Sequence, residues 1–410
     1  MNTTTDTVPA TCTTDGSITV TCDACGTVVS TETIPATGHD YDEVLTPATR
    51  TTDAFYTYTC ACGDSYTKTV ATQDVNMGAY LNSLELTAEY ILWYWAPVVP
   101  GTEGAERWME FTSYDVDGVA TKTVAEEDLE KSDAEYYGFM GPAIPAKNMN
   151  DKIVGIMYYI QDGLKYRLTH NGAEEFESNV AAYCVRQIDK FASYGANTDN
   201  GKVRQILIAI LNYGSAAQVE FKYNTTAVEG DAYKGLVNLR MDASLRKTSL
   251  TDFANVTTTA ERKETDTDKA TKFDFYSNSA ELKQRIVTKF YFNLAGGNTQ
   301  ADLGKYEFRA TLVTTKGTSN YVIDGSEFVY DTKYKDVCVS LADPAAADLG
   351  TSVVGAMYDK ETGEQVSDTV TACFEAYAAN QLASSKVADT NKALLKAIIA
   401  YSRAAYARYR

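Results

Sequence analysis

A unit of 38 residues stands twice in tandem at the start of this chain, and a pair of about 70 residues has little core to fold around. PATCTTDGSITVTC at 9–22 recurs as PATRTTDAFYTYTC at 47–60, identical at nine of fourteen positions. In each copy Thr alternates with β-branched or aromatic residues, which predicts a strand. The Cys and Gly residues that follow predict a tight turn presenting two thiolates from one bend.

Such a pair needs a clasp, and the sequence offers donors for one. Cys12, Cys22, Cys25 and His39 supply three thiolates and one imidazole, the set that closes a tetrahedral structural zinc site with no open position. The second copy departs from that pattern: Arg50 stands where the first has Cys12, the turn shortens to Cys60-Ala-Cys62, and no His follows. It is therefore metal-free or lends its two cysteines to the first copy. Cys22, Cys25, Cys60 and Cys62 could also form a two-knuckle, ribbon-type zinc site. Disulfides remain the alternative in an oxidising compartment, and free thiols the third.

A larger repeat organises the rest. VRQILIAILNYGSAAQVEFKYN from Val203 aligns without gaps, at an offset of 188, with the sequence that ends at Arg410. Ile206, Leu207, Ile210, Ala217 and Phe221 correspond to Leu394, Leu395, Ile398, Ala405 and Tyr409, and their spacing predicts one apolar helix face. A further helix is expected before each, at 180 and at 370, with Cys184 and Cys373 at nearly matching core positions. VGIMYYIQDG at 154 pairs with VGAMYDKETG at 354, and ILWYWAP at 91 with TKFYFNLAG at 288, as strands. The expected fold class is multidomain α+β. Small β-rich, zinc-ribbon-like repeats (1–75) precede two homologous antiparallel-sheet modules (76–230 and 231–410), each closed by a helical hairpin. Residues 248–270 are polar, without clear period, and read as an extended lead-in to the last module.

The pattern PATCT-x-x-G…TCxxCG…PATGHDYD resembles short repeats of very large secreted and cell-wall proteins of anaerobic gut Firmicutes. LNYGSAAQVEFKYNT is similar to the helix that closes α+β modules in those proteins. The resemblance implies a surface context and a binding or scaffolding role, and it brings no assigned activity.

Charge and motifs narrow the function classes. A net charge of −18 repels phosphate backbones and anionic membranes, which argues against nucleic acid or lipid headgroups as partners. The longest apolar runs are about half of what a membrane span needs, and the chain as it stands opens with no secretory signal. A surface location is thus an inference from the resemblance and the Thr- and Tyr-rich composition. His170, in LTHNG, is the one histidine outside the repeats, and no nucleophile elbow, P-loop or dinucleotide loop accompanies it. Asp117-Gly118 reads as a hairpin turn and not as part of a calcium loop. Tyr90, Trp93, Trp95 and Trp108 form a candidate stacking surface for a protein or glycan, although neighbours on a strand point to opposite faces. The expected function is non-catalytic: adhesion, scaffolding or ligand binding at a cell surface, with a host or bacterial surface protein or glycan as partner. The alternatives are an immunoglobulin-binding surface protein and a divergent carbohydrate-active enzyme.

Overall fold

Thr-rich alternation at the start of the chain folds into two separate three-stranded antiparallel sheets. The computed structural model describes residues 2–77, 80–86, 90–225, 259–261, 272–294, 298–314, 317–342 and 345–409. The first sheet comprises β1 (Thr3–Val8), β2 (Gly16–Cys22) and β3 (Val28–Ile34), with β2 in the centre. The second comprises β4 (Tyr41–Thr46), β5 (Ala54–Cys60) and β6 (Ser65–Val70), with β5 in the centre. Their registers match: Thr3 faces Cys22 in one sheet, and Tyr41 faces Cys60 in the other.

Neither sheet has a conventional core. Within the two sheets and their loops the buried apolar residues are Cys22, Ala48, Ala54 and Cys60. A ladder of half-exposed tyrosines stiffens the second sheet, with Tyr58 stacked 4.7 Å from Tyr66 and the edge of Tyr41 5.1 Å from Tyr66.

The chain divides into two compact units. The first joins Met1–Gly78 to Val98–Met109 and Ile156–Glu174, so the repeats share a unit with two later segments. There Gln73–Met77 pairs in parallel with Leu164–His170, which forms a hairpin with the end of strand Lys152–Gln161. Asp162 and Gly163, with φ of 52° and 77°, supply the two positive-φ residues of that tight turn. The hairpin turn supports the second repeat: the Ala48 N–H donates to the Gly163 carbonyl at 2.8 Å. Trp108 is fully buried and stacks on Tyr158 at 5.4 Å.

The second unit contains Ala79–Pro97, Glu110–Gly155 and Glu175–Arg410. Its described residues are mostly antiparallel sheet with four α-helices: α1 (Val180–Lys190), α2 (Asp199–Glu220), α3 (Phe374–Ala383) and α4 (Asp389–Tyr409). One order of elements occurs twice in it. Strand Tyr90–Pro97 lies between Leu81–Leu86 and Tyr136–Ile144, and Val287–Leu294 lies between Phe273–Glu281 and Asp336–Ala342. A single helical turn follows each, at Ala146–Asn148 and Ala346–Asp348. Ile153–Gly155 then pairs with Phe176–Ser178, as Val353–Gly355 pairs with Val370–Ala372. A helix pair ends each series.

Several expectations change in detail. The helical stretch expected from 370 begins as strand Thr369–Ala372, and α3 starts only at Phe374. Cys373 is the N-cap of α3, its sulfur accepting from the Ala376 N–H at 3.3 Å, while Cys184 lies buried in the middle of α1. The residue at the Cys373 position is Asn179, which caps α1 through the Ala182 N–H at 2.7 Å. Helix α2 is also more buried than a single stripe, because Ile208, Ala209, Leu211 and Tyr213 join Ile206, Leu207 and Ile210 in the core. It packs on α4, where Tyr213 stacks 5.9 Å from Tyr401, and Tyr90 sets its edge 6.1 Å from each. The lead-in at 248–270 lies outside the described residues except for strand Thr259–Glu261. Asp117 and Gly118 do turn a hairpin: Asp115 Oδ1 accepts from the Asp117 and Val119 N–H groups.

Candidate metal centre and aromatic cleft

The register of β4 on β5 determines which sulfur atoms meet. Because Tyr41 faces Cys60, His39, two residues earlier, arrives beside the end of β5. Gly38, at φ 75°, bends the chain there, and its N–H donates to the Cys12 carbonyl at 3.0 Å. The neighbouring Thr37 N–H donates to the Thr11 carbonyl at 3.0 Å, so the loop carrying Cys12 is tied to the segment carrying His39. From the other side, the turn after β5 is closed by the Gly63 N–H on the Cys60 carbonyl and the Cys60 N–H on the Asp64 carbonyl, both at 2.8 Å. Asp64 also accepts from the Tyr41 hydroxyl at 2.6 Å, and the Tyr41 ring stacks on His39 at 5.3 Å.

The result is a cluster of Cys12, His39, Cys60 and Cys62, whose four donor atoms all lie within 4.8 Å of one another. Cys12 Sγ is 3.6 Å from Cys60 Sγ, and Cys62 Sγ is 3.4 Å from His39 Nδ1. Sulfurs about 2.3 Å from a tetrahedral zinc stand about 3.8 Å apart, so these spacings fit a four-coordinate ion. The chemistry of the set points the same way: three thiolates and one imidazole suit zinc, and they fill its four positions. Backbone donation from Cys62, then hydrogen bonding with His39, pulls the Cys60 thiol down to about 6. Hydrogen bonding to Cys62 and then Cys60 pushes Cys12 up to about 11. One thiolate is thus ready at neutral pH, while its neighbour still holds a proton.

This set differs from both sequence-based ones. Cys12 and His39 belong to it, but Cys22 and Cys25 do not, and those two do not join Cys60 and Cys62 either. The reason is distance along a strand: Cys12 lies in the loop before β2 and Cys22 ends it, and the two ends of that seven-residue strand are roughly 20 Å apart at about 3.3 Å per residue. Cys22 is buried at the strand end, and the exposed Cys25 thiol points to Thr27 Oγ1 at 3.4 Å. All eight cysteines are free thiols.

The proposed aromatic surface separates as strand geometry requires. Tyr90, Trp93 and Trp108 are buried, and Trp95 is the half-buried member of the set. Trp93 and Trp95 share the opposite face of their strand and stack 5.7 Å apart. Trp93 Nε1 donates to Glu85 at 2.6 Å and Trp95 Nε1 to Ser83 at 2.9 Å, while Lys131 Nζ lies 3.7 Å from the Trp93 ring centroid. A cleft of about 540 Å³ opens over this pair, with Glu85, Lys131 and Tyr409 among its walls. His170 ends a strand, with Nε2 3.2 Å from Asn171 Nδ2. Among the described residues no helix is long and apolar enough to cross a membrane.

No family model and no curated protein matches the chain. Among solved structures it is similar to a tetra-tandem repeat from the extending region of a large adhesion protein, at 9% identity over 91% of this chain and 74% of that one. The TM-score of 0.16 is too low to define a shared fold.

Proposed function

We propose that this chain is a non-catalytic, surface-displayed protein for adhesion, scaffolding or ligand binding. In this reading a metal-clasped spacer pair precedes two α+β modules that arose by duplication. The observation that carries it is the convergence of Cys12 and His39 from one repeat with Cys60 and Cys62 from the next. A saturated donor set of this kind holds two coreless units together and leaves no position for a substrate, so the ion, zinc by its ligands, acts as a structural clasp. The repeated order of strands and helices supports the duplication, and the likeness to repeats of large secreted proteins of gut Firmicutes supports an extracellular or cell-surface location.

The partner is a host or bacterial surface protein or a glycan. The half-buried Trp95, backed by the buried Trp93 and flanked in the cleft by Glu85 and Lys131, favours a glycan, since sugar rings stack on indole faces while charged groups orient hydroxyls. The intact chain applied to a glycan array and to mucosal secretions should retain a ligand without turning it over. Loss of retention in Trp95→Ala would support the cleft as the site, whereas hydrolysis of a retained glycan would overturn the non-catalytic reading.

A further inference from the structure

The metal cluster takes its donors unequally from the two repeats. The first contributes its loop cysteine and its histidine, and the second contributes only its turn. Cys22 and Cys25 form the turn of the first repeat, and that turn is built like the ligating one. Cys22 is buried at the end of β2 as Cys60 is at the end of β5. The Gly26 N–H closes on the Cys22 carbonyl at 2.8 Å, and the Cys22 N–H donates to the Thr27 carbonyl at 2.9 Å, the same pair of closures as around Cys60 and Gly63 in a turn one residue longer. Gly26 and Gly63 both adopt positive φ, at 70° and 94°.

The complementary half is also readable. In the second repeat the loop position equivalent to Cys12 is Arg50, whose Nε pairs with Glu106 at 2.6 Å and whose guanidinium lies 5.5 Å from the Trp108 ring centroid. That loop is engaged within its own unit and offers no sulfur or imidazole to a further turn. At the one junction present, the loop Cys and His serve the turn of the repeat that follows.

We infer that Cys22 and Cys25 are the turn half of a zinc site, which closes when the loop Cys and His of a repeat of the same kind stand ahead of the first. The inference rests on the junction reading given above. The occupant is a thiolate and imidazole pair in the relation that Cys12 and His39 bear to Cys60 and Cys62. Binding is simple ligation, in which the ion gains four donors and each thiol that still carries a proton releases it to solvent.

The chain itself supplies the probe. Residues 9–46 are duplicated in tandem after Thr46, which gives the insert natural flanks because Pro47-Ala-Thr repeats Pro9-Ala-Thr. Purified with zinc, the native chain should hold one ion and the duplicated chain two. Cys22→Ser with Cys25→Ser in the inserted copy alone should return the count to one. Cys25 should be open to alkylation in the native chain, whereas its counterpart in the inserted copy should be protected until a chelator is added. A duplicated chain that still holds one zinc, or an inserted Cys25 that reacts at the native rate, would overturn the inference and leave the junction site standing. A native chain without zinc would overturn the junction reading itself.

Discussion

Removing the metal should unfold the repeats while the second unit keeps its structure. Strands β1–β6 and their loops bury Ala48, Ala54 and two cysteines. Two methyl groups at about 0.8 kcal/mol each contribute about 1.6 kcal/mol, and the Tyr58–Tyr66 stack adds about 1 kcal/mol. Structural zinc binding in small modules is worth about 10–16 kcal/mol near neutral pH, several times these burial and stacking terms, so losing the ion should be decisive for the repeats. Hydrogen exchange read by mass spectrometry, with and without a strong chelator, isolates the effect. Protection at Cys60 and Gly63, whose amides close the ligating turn, should fall to that of an unstructured chain, and protection in α2 and α4 should not change. If β2 and β5 kept their protection within about threefold after chelation, the sheets would be stable without the metal and the reasoning would fail.

Four further outcomes follow from the geometry. Gly214→Ala in α2 would place a methyl 1.8 Å from Met149 Sδ, so a loss of about 1–3 kcal/mol is expected despite the better helix former, and Met149→Ala in the same chain should recover part of it; chemical denaturation checks both. Among the described residues the buried Tyr90 hydroxyl has no hydrogen-bond partner, so Tyr90→Phe should be neutral or stabilising by about 1 kcal/mol, and a lowered denaturation midpoint would contradict this. Trp108→Ala removes a fully buried ring from the first unit and should cost about 3–5 kcal/mol, read as an earlier thermal transition. Thiols in the unfolded, metal-free repeats have their ordinary pKa of about 8.5 and are mostly protonated near pH 7.5, so zinc addition to a weakly buffered solution should release at least about two protons per ion.

The duplication was legible because both repeats keep their spacing, at offsets of 38 and 188, and spacing sets which residues share a strand or helix face. The strands around 91, 154, 288 and 354 and the long helices followed from periodicity. The ligand set was only half legible. Chain proximity favoured Cys22 and Cys25, although the strand predicted between Cys12 and Cys22 already placed them too far apart. What selects Cys60 and Cys62 is the pairing of β4 with β5, a long-range register that no local pattern encodes. The same limit explains Val370 and Thr371, whose strand is imposed by Val354 and Gly355 across the sheet. It also explains Trp108, which neighbours the other tryptophans in sequence but is buried against Tyr158.

Zinc counting on two variants tests the cross-repeat clasp most directly. The native chain and a Cys22→Ser, Cys25→Ser chain should each carry one ion, and a Cys60→Ser, Cys62→Ser chain should carry none. Zinc lost with Cys22 and Cys25 but kept without Cys60 and Cys62 would place the site inside the first repeat and contradict the account.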